Sequence, residues 1–322
     1  MLALAEFALF ALSGRQGDVV KAFAVLKEEV GFQRATFTSS KGTVTVILPS
    51  EITQGDTISG TFFLDVKAKD VTDVQIDLGK SHGPPPEISN SPRRIWTVPL
   101  DSEPRLSLTV WTPDGVSFGT TYVSVGAKKP NPSQYNIPNF LRVSASGTIF
   151  GPFDGDAGNT RITATGVQCS VIAESPRAST FLVPTSMKLG LSTLELTEGK
   201  QSVESLTRML SVKISSPRTT LNKNDVSSVT INVDGLNGVT DDRSPMVIVE
   251  NLTPKVIDLE GKVKHYLFAK PLEDGTYSKT LSIQSILTGG FAIGATVDPG
   301  PGTKVNPKSV DMFDHRQIVR NY

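Results

Sequence analysis

The 322-residue sequence has one cysteine, few aromatic residues and no apolar run long enough to span a membrane. Because Cys169 is alone, an intramolecular disulfide is excluded, and with it every fold that depends on a disulfide framework. The three histidines, His82, His265 and His315, are far apart, and no His/Cys cluster has the spacing of metal ligands. The sequence therefore predicts no cofactor.

Net charge is also lacking, since Lys plus Arg and Asp plus Glu both number 32. A neutral chain argues against nucleic acid or an anionic membrane surface as the main partner, because both attract a basic surface. The basic stretch SPRR at 91–94 is too short to form a nucleic-acid patch. A protein or glycan ligand remains, and the sequence does not decide the oligomeric state.

The first 14 residues, MLALAEFALFALSG, are apolar but form a run about half of the roughly 20 residues that a membrane span needs. They lack a basic leading region, and Glu6 interrupts them. Three interpretations stay open: a degraded or truncated export signal, a plain amphipathic helix, or a misplaced start. No membrane insertion is predicted beyond such a signal segment.

The next stretch, DVVKAFAVLKEEVG at 18–31, has a helical pattern. Asp18 is a capping residue and Gly31 a terminating one. One face of the predicted helix would carry the apolar residues Val19, Ala22, Phe23, Leu26 and Val30. Residues 1–32 are therefore predicted to be an N-terminal helical segment or a degraded signal segment.

From residue 34 the apolar period changes to two, as in GTVTVILP at 42–49 and RLSLTVWTPDG at 105–115. Short alternating stretches separated by Gly, Asn and Asp turns are typical of all-β sandwiches. The absence of 10–15-residue helical patterns beyond residue 32 excludes Rossmann and TIM-barrel folds. The predicted segments are a sandwich at 33–126, a Pro-rich linker at 127–139, sandwiches at 140–197 and 198–298, and a Pro/Gly-rich tail at 299–322.

The stretch GKSHG at 79–83 matches the G-x-S-x-G pattern and would make Ser81 a hydrolase nucleophile. That chemistry needs a strand before the serine and a helix after it. Three prolines at 84–86 argue against the helix. A hydrolase on a β scaffold is therefore the least favoured function, and the chain is predicted not to be an enzyme.

Four aromatic residues, Trp96, Trp111, Phe118 and Tyr122, lie on predicted strands. They would form either a sugar-stacking platform or part of the core, which is the commoner place for aromatic side chains on strands. Trp96 and Trp111 are the candidate ligand-binding residues, and they motivate an accessory carbohydrate-binding function.

The stretch GPFDGDAGNT at 151–160 resembles the start of a calcium loop, and Asp154 and Asp156 are the candidate metal ligands. An EF-hand is excluded because Gly158 and Asn159 are reversed from the required order and Thr165 replaces the bidentate Glu. The alternative is a polar turn in which Asp and Asn side chains bind nearby backbone.

The segment at 145–184, ASGTIFGPFDGDAGNTRITATGVQCSVIAESPRASTFLVP, resembles TIG/IPT-type immunoglobulin-like modules. The resemblance is carried by a Gly-rich turn at 151–158, Asn159-Thr160, Gly166, AESPR and the final VP. It implies that the Gly/Asp stretch is a turn connecting two strands.

The segments SSPRTTLNKNDVSSVTINVDGLNGV and GTYSKTLSIQSILTGGFAIGATV are similar to Ig-like modules of bacterial envelope proteins, and TFTSSKGTVTVILPSEITQGDTISGTFFLDV resembles N-terminal modules of exported proteins. The resemblance implies tandem Ig-like β-sandwiches. It also implies a non-enzymatic extracellular or cell-envelope role in adhesion or presentation, without naming a ligand.

Overall fold

The structure is a computed structural model in which nearly all described residues belong to β-strands or the turns between them. The described residues are 23–29, 31–39, 41–66, 74–82, 92–112, 115, 117–199, 201–218, 220–240, 243–298, 300 and 317–320. Across these ranges there is no α-helix, so the predicted all-β class is confirmed.

Twenty-five strands follow one another along the described chain. Their bounds are β1 Phe23–Glu29, β2 Phe32–Ser39, β3 Gly42–Pro49, β4 Thr57–Val66, β5 Gln75–Leu78, β6 Ser81–His82, β7 Arg93–Thr97, β8 Arg105–Trp111, β9 Ser117–Ser124, β10 Phe140–Arg142, β11 Ser146–Phe150, β12 Thr160–Ala164, β13 Val167–Ser175, β14 Ala178–Leu182, β15 Gly190–Glu198, β16 Gln201–Ser215, β17 Thr220–Leu221, β18 Val226–Asp234, β19 Met246–Asn251, β20 Ile257–Leu259, β21 Lys264–Phe268, β22 Thr276–Ser285, β23 Gly289–Gly290, β24 Ala292–Val297 and β25 Gln317–Arg320.

The predicted N-terminal helix is wrong where the structure describes that segment, because Phe23–Glu29 form strand β1. Ala24 and Leu26 pack against the core, whereas Val25 is 57% exposed, which is the two-residue period of a strand. Gly31 has a positive φ of 77° and lies in the turn that leads into β2. Pairing with β2 across this turn favours the strand over a helix. The rest of the predicted helix, and residues 1–22 as a whole, lie outside the described residues.

The first compact unit comprises Met1–Gln134, Phe150–Thr160 and Val171–Thr180. One of its sheets has the order β1-β2-β3-β4, and β4 also pairs with β7 and with residues 173–174. The other sheet has the order β6-β5-β8-β9. Strands 42–49 and 105–111 lie where the sequence predicted them.

The core of this unit lies between its two sheets, so the unit is a β-sandwich. One sheet contributes buried residues such as Phe37, Val46 and Ile58, and the other contributes residues such as Leu108 and Val110. The alternation of apolar and polar residues along each strand explains this burial, because successive side chains point to opposite faces.

The second compact unit comprises Tyr135–Ile149, Arg161–Ser170 and Phe181–Tyr322. One sheet contains β12-β15-β16-β18-β22-β20, with β10 paired in parallel to β16. A four-stranded sheet has the order β21-β19-β24-β25. Buried apolar residues of both sheets, such as Ile231, Leu281, Val249 and Ala295, form its core.

The predicted segments differ from this grouping into two units. The chain from 140 to 197 contributes to both units, and β16 begins at Gln201 as the hairpin partner of β15. The predicted boundaries at 126, 139, 197 and 298 remain predictions.

Candidate ligand-binding face

The outer face of the sheet β6-β5-β8-β9 carries polar and aromatic side chains in a row. Ile76, Leu78, Leu108 and Val110 point into the sandwich core. The residues between them in sequence therefore point outward, because strand side chains alternate. We call this outward set the tryptophan face: Gln75, Asp77, Arg105, Ser107, Thr109, Trp111, Thr120 and Tyr122.

Trp111 is held on this face by a carboxylate. Its Nε1–H donates to Oδ2 of Asp77 over 2.8 Å, and Oδ1 of Asp77 accepts a hydrogen bond from Nε2 of Gln75 over 3.0 Å. Gln75 lies directly opposite Trp111 in the β5–β8 ladder. The indole ring is half-buried, so it is fixed in orientation and still reaches solvent.

A register shift separates Val110 from Trp111 in the β8–β9 pairing. Val110 pairs with Gly119 and Trp111 pairs with Ser117, so Phe118 is the extra residue of the opposing strand. Such bulges change the direction of neighbouring side chains and are common beside functional sites. Here the bulge lies next to the one tryptophan that reaches the outer face.

The other end of the tryptophan face is also aromatic. Tyr122 is 55% exposed, and the guanidinium carbon of Arg105 lies 5.6 Å from the centre of its ring. A cation over an aromatic face is attracted by the ring quadrupole and restrains the ring. Between the two aromatic ends, the hydroxyls of Thr109 and Thr120 lie 3.0 Å apart in hydrogen-bond contact.

The other two aromatic candidates, Trp96 and Phe118, point into the sandwich core. Trp96 is 1% exposed and its Nε1–H donates to the carbonyl oxygen of Ile76 over 3.0 Å. Phe118 is also 1% exposed. Neither ring presents a face for sugar stacking, so the structure supports the core alternative for these two residues and leaves Trp111 and Tyr122 as the outward pair.

The loop that contains Asp154 and Asp156 connects β11 to β12. Oδ1 of Asp154 accepts from the backbone N–H of Asp156 over 2.7 Å, and its Oδ2 accepts from Nδ2 of Asn159 over 2.7 Å. Oδ1 of Asp156 accepts from the N–H of Gly158 over 2.9 Å. These are the hydrogen bonds of a polar turn.

Gly155 fixes the position of this loop. Its φ is +87°, and a Cβ at this position would lie 1.8 Å from the carbonyl oxygen of Thr57. Only glycine accepts both the left-handed conformation and this close approach. The N–H of Ala157 then donates to Oγ of Ser59 over 3.1 Å, which joins the loop to β4.

The two proposed metal ligands each accept a hydrogen bond from the loop backbone. A carboxylate oxygen of Asp154 lies within 4.8 Å of one from the fully buried Glu174, while Asp156 binds the loop backbone. Calcium takes about six to eight oxygen ligands. Asp154 and Glu174 would supply only a small part of this set, and a metal role for Asp154 and Asp156 remains a prediction.

Ser81 lies in the two-residue strand β6, where it pairs with Leu78 of β5. A nucleophile elbow requires a sharp turn between a strand and a helix. The backbone at Ser81 is that of a hairpin strand, so this position lacks the geometry that the hydrolase alternative requires.

Asn251 belongs to an Asn-Leu-Thr sequence that matches the N-glycosylation sequon. In the fold its side chain is 3% exposed. Its Nδ2 donates to the carbonyl oxygen of Ile257 over 2.7 Å, and its Oδ1 accepts from the N–H of Thr253 over 3.0 Å. The side-chain amide of Asn251 therefore takes part in the hydrogen bonding of the fold. It is inaccessible for glycan attachment in the folded chain.

Sequence reasoning missed Asp77, Gln75 and Arg105 as members of the candidate face. The alternation of β5 indicates that Asp77 points away from Ile76 and Leu78, but it does not indicate which strand lies beside it. The pairing of β5 with β8 brings Asp77 to Trp111, and these residues are 34 positions apart.

None of the described residues forms a helix with the length and hydropathy of a membrane span.

No protein-family model and no curated protein matches the chain. Among solved structures, it is similar to SGBP-B of the Bacteroides ovatus mixed-linkage glucan utilization locus, in complex with a mixed-linkage heptasaccharide. The identity is 14%, the match covers 91% of this chain and 84% of that chain, and the TM-score is 0.26. It is also similar to the plexin A4 extracellular region, with 9% identity, 95% and 23% coverage and a TM-score of 0.24. The insect immune protein hemolin matches with 11% identity, 90% and 80% coverage and a TM-score of 0.21. Values this low establish neither a shared fold nor a shared ligand.

Proposed function

We propose that this chain is a non-enzymatic binding protein built from Ig-like β-sandwich modules and that it binds a carbohydrate on the tryptophan face. The observation that carries the proposal is the Trp111 ring, which the Asp77 carboxylate holds in place on an outward sheet face. An aromatic ring with a fixed orientation stacks on the apolar face of a sugar with little loss of conformational entropy.

The spacing of the two aromatic ends favours an extended oligosaccharide. Tyr122 lies opposite Ser107, which is four residues from Trp111 on the same strand. At about 3.4 Å per residue the two ends are roughly 14 Å apart along the strand. Hydroxyls of Thr109 and Thr120 lie between them and offer hydrogen bonds to sugar hydroxyls.

The first test is affinity electrophoresis of the full chain in native gels that contain soluble β-glucan, xylan, glucomannan or starch. Retardation by at least one polysaccharide is expected, and Trp111→Ala is expected to weaken it by roughly tenfold or more, because a buried aromatic contact carries much of the affinity of an interface. The matched control is Phe63→Ala, which removes an exposed aromatic ring from β4 in the other sheet of the first unit.

Two results would contradict carbohydrate binding. One is the absence of retardation by every polysaccharide of the panel. The other is equal retardation of wild type and Trp111→Ala, both with native far-UV circular dichroism. A protein ligand on the same face would then be the remaining binding function.

We also propose an extracellular or cell-envelope location and a TIG/IPT-like module at 140–197. The support is the sequence resemblance at 145–184, together with the β11–β12 connection that the Gly/Asp loop makes. The location is tested by surface proteolysis of intact source cells and detection of the protein in surface, periplasmic, cytosolic and medium fractions. Recovery in the cytosolic fraction alone would contradict it.

A further inference from the structure

Strand β21, Lys264–Phe268, lies at the edge of the sheet β21-β19-β24-β25 and pairs on one side only within the described chain. The N–H of Asn251 donates to the carbonyl oxygen of Val263 over 2.8 Å. The N–H of Ala269 donates to the carbonyl oxygen of Pro245 over 2.9 Å. The backbone N–H and C=O groups of the odd-numbered residues from 263 to 269 are therefore directed toward β19. Because the bonding direction alternates along an antiparallel strand, the backbone of Lys264 and Tyr266 is directed to the open edge.

The same edge exposes apolar side chains. Val263, Tyr266 and Phe268 are 53%, 57% and 62% exposed. An edge strand with exposed apolar residues is a template for pairing with another strand, and proteins usually prevent such pairing with charges or proline. Here no proline lies between residues 262 and 270, and the charged residues are lysines that flank the two aromatic residues, Lys262 and Lys264 before them and Lys270 after them.

The edge sequence is complementary to itself. In an antiparallel pair of two copies with the two-fold axis at His265, Lys264 of each copy lies opposite Tyr266 of the other. Lys262 then lies opposite Phe268, and Val263 lies opposite Leu267. Lysine beside an aromatic face is favourable, and so is burial of Val263 against Leu267. No lysine lies directly opposite another lysine in this register.

We propose that β21 is a self-association surface through which two copies of this chain form an isologous, two-fold symmetric dimer by antiparallel pairing. Four main-chain hydrogen bonds form at its centre, between Lys264 of each copy and Tyr266 of the other. The neighbouring register, with Tyr266 on the axis, is disfavoured because it places Lys262 opposite Lys270 of the second copy. This inference is independent of carbohydrate binding by the first unit.

The test is sedimentation velocity of the full chain from low micromolar to near-millimolar concentration. Wild type is expected to change from monomer to dimer. Tyr266→Lys places two like-charge pairs in the interface and is expected to weaken dimerisation by roughly tenfold. Tyr266→Glu places a carboxylate opposite Lys264 and is expected to keep or strengthen the dimer. Val226→Lys, at an exposed valine on another strand, is the control for added charge and should match wild type.

Disulfide capture fixes the register by a second route. The double variant Val263→Cys, Leu267→Cys is expected to form a covalent dimer under mild oxidation, because these positions face each other across the axis at His265. Each single variant is expected to stay monomeric on a non-reducing gel. The native Cys169 is buried, which raises the pKa of its thiol to about 11 and keeps it from competing.

The proposal is overturned if wild type sediments as a monomer at every concentration. It is also overturned if the Lys and Glu variants of Tyr266 have the same effect, or if a single-cysteine variant crosslinks as readily as the double variant.

Discussion

The core and the outer face of the first unit each hold one tryptophan, and consecutive residues of β5 bind the two rings. The carbonyl oxygen of Ile76 accepts from Trp96, and the carboxylate of Asp77 accepts from Trp111. Trp96 lies between the sheets, whereas Trp111 reaches solvent on the tryptophan face. The face of the strand on which a tryptophan lies, rather than the residue type, separates a folding role from a candidate binding role.

The largest expected effect is on the core side. Trp96→Ala should lower the free energy of unfolding by about 3–5 kcal/mol, since it opens a large cavity and removes the hydrogen bond to Ile76. Trp111→Ala should lower it by less than about 1 kcal/mol, because the ring is half-buried on the surface. Urea unfolding followed by far-UV circular dichroism measures both. Similar losses of stability for the two variants would contradict this difference between the core and the outer face.

The next effect is on the carboxylate that orients Trp111. Asp77→Ala should weaken polysaccharide retention by roughly fivefold to tenfold, because the indole loses the partner that fixes it. Asp77→Asn keeps an acceptor oxygen and should retain most of the affinity. Affinity electrophoresis at several polysaccharide concentrations gives the ratio. If the Asn and Ala variants were equally weak, negative charge rather than ring orientation would be the important property of Asp77.

A smaller effect on stability is expected in the β11–β12 loop. There the carboxylates of Asp154 and Asp156 accept hydrogen bonds from the loop itself, whereas Asp77 binds the exposed ring of Trp111. Asp154→Ala should lower the free energy of unfolding by about 1 kcal/mol, since it removes acceptors for Asp156 and Asn159. Added calcium should leave the Tm of the wild type unchanged. A rise in Tm that depends on calcium concentration and disappears in Asp154→Ala would show that the loop binds the metal.

The smallest effect is expected at the centre of the tryptophan face. Thr109→Val removes the hydroxyl contact with Thr120 but keeps a β-branched side chain suited to a strand. The free energy of unfolding should change by about 0.5 kcal/mol or less. Chemical denaturation measures this value. A loss as large as that of Trp96→Ala would mean that the outer face supports the fold as strongly as the core does.

Much of the β pattern could be predicted, because alternation and turn residues are local. GTVTVILP became β3 with the same bounds, and the alternating stretch that begins at residue 105 became β8. The N-terminal segment was misjudged because Phe23–Glu29 fits both a helical stripe and a strand. Its pairing with β2 decided the outcome, and local pattern does not report such pairing.

The sequence predicted only in part whether each aromatic side chain lies in the sandwich core or on the outer face of a sheet. Trp96 and Trp111 both lie on strands with alternating apolar residues, and only one reaches the outer face. The bulge beside Trp111 and the neighbouring strand β5 depend on long-range pairing. Asp77 was missed for the same reason.

Local periodicity and turn residues were sufficient to predict the all-β class and most strand positions. The connecting role of the Gly/Asp loop was expected from the family resemblance. Tertiary structure alone decided which strands lie side by side. That pairing joined Asp77 to Trp111, buried Trp96 and Asn251, and left β21 at an open edge. Each of these results depends on contacts between residues distant in sequence, which local periodicity cannot specify.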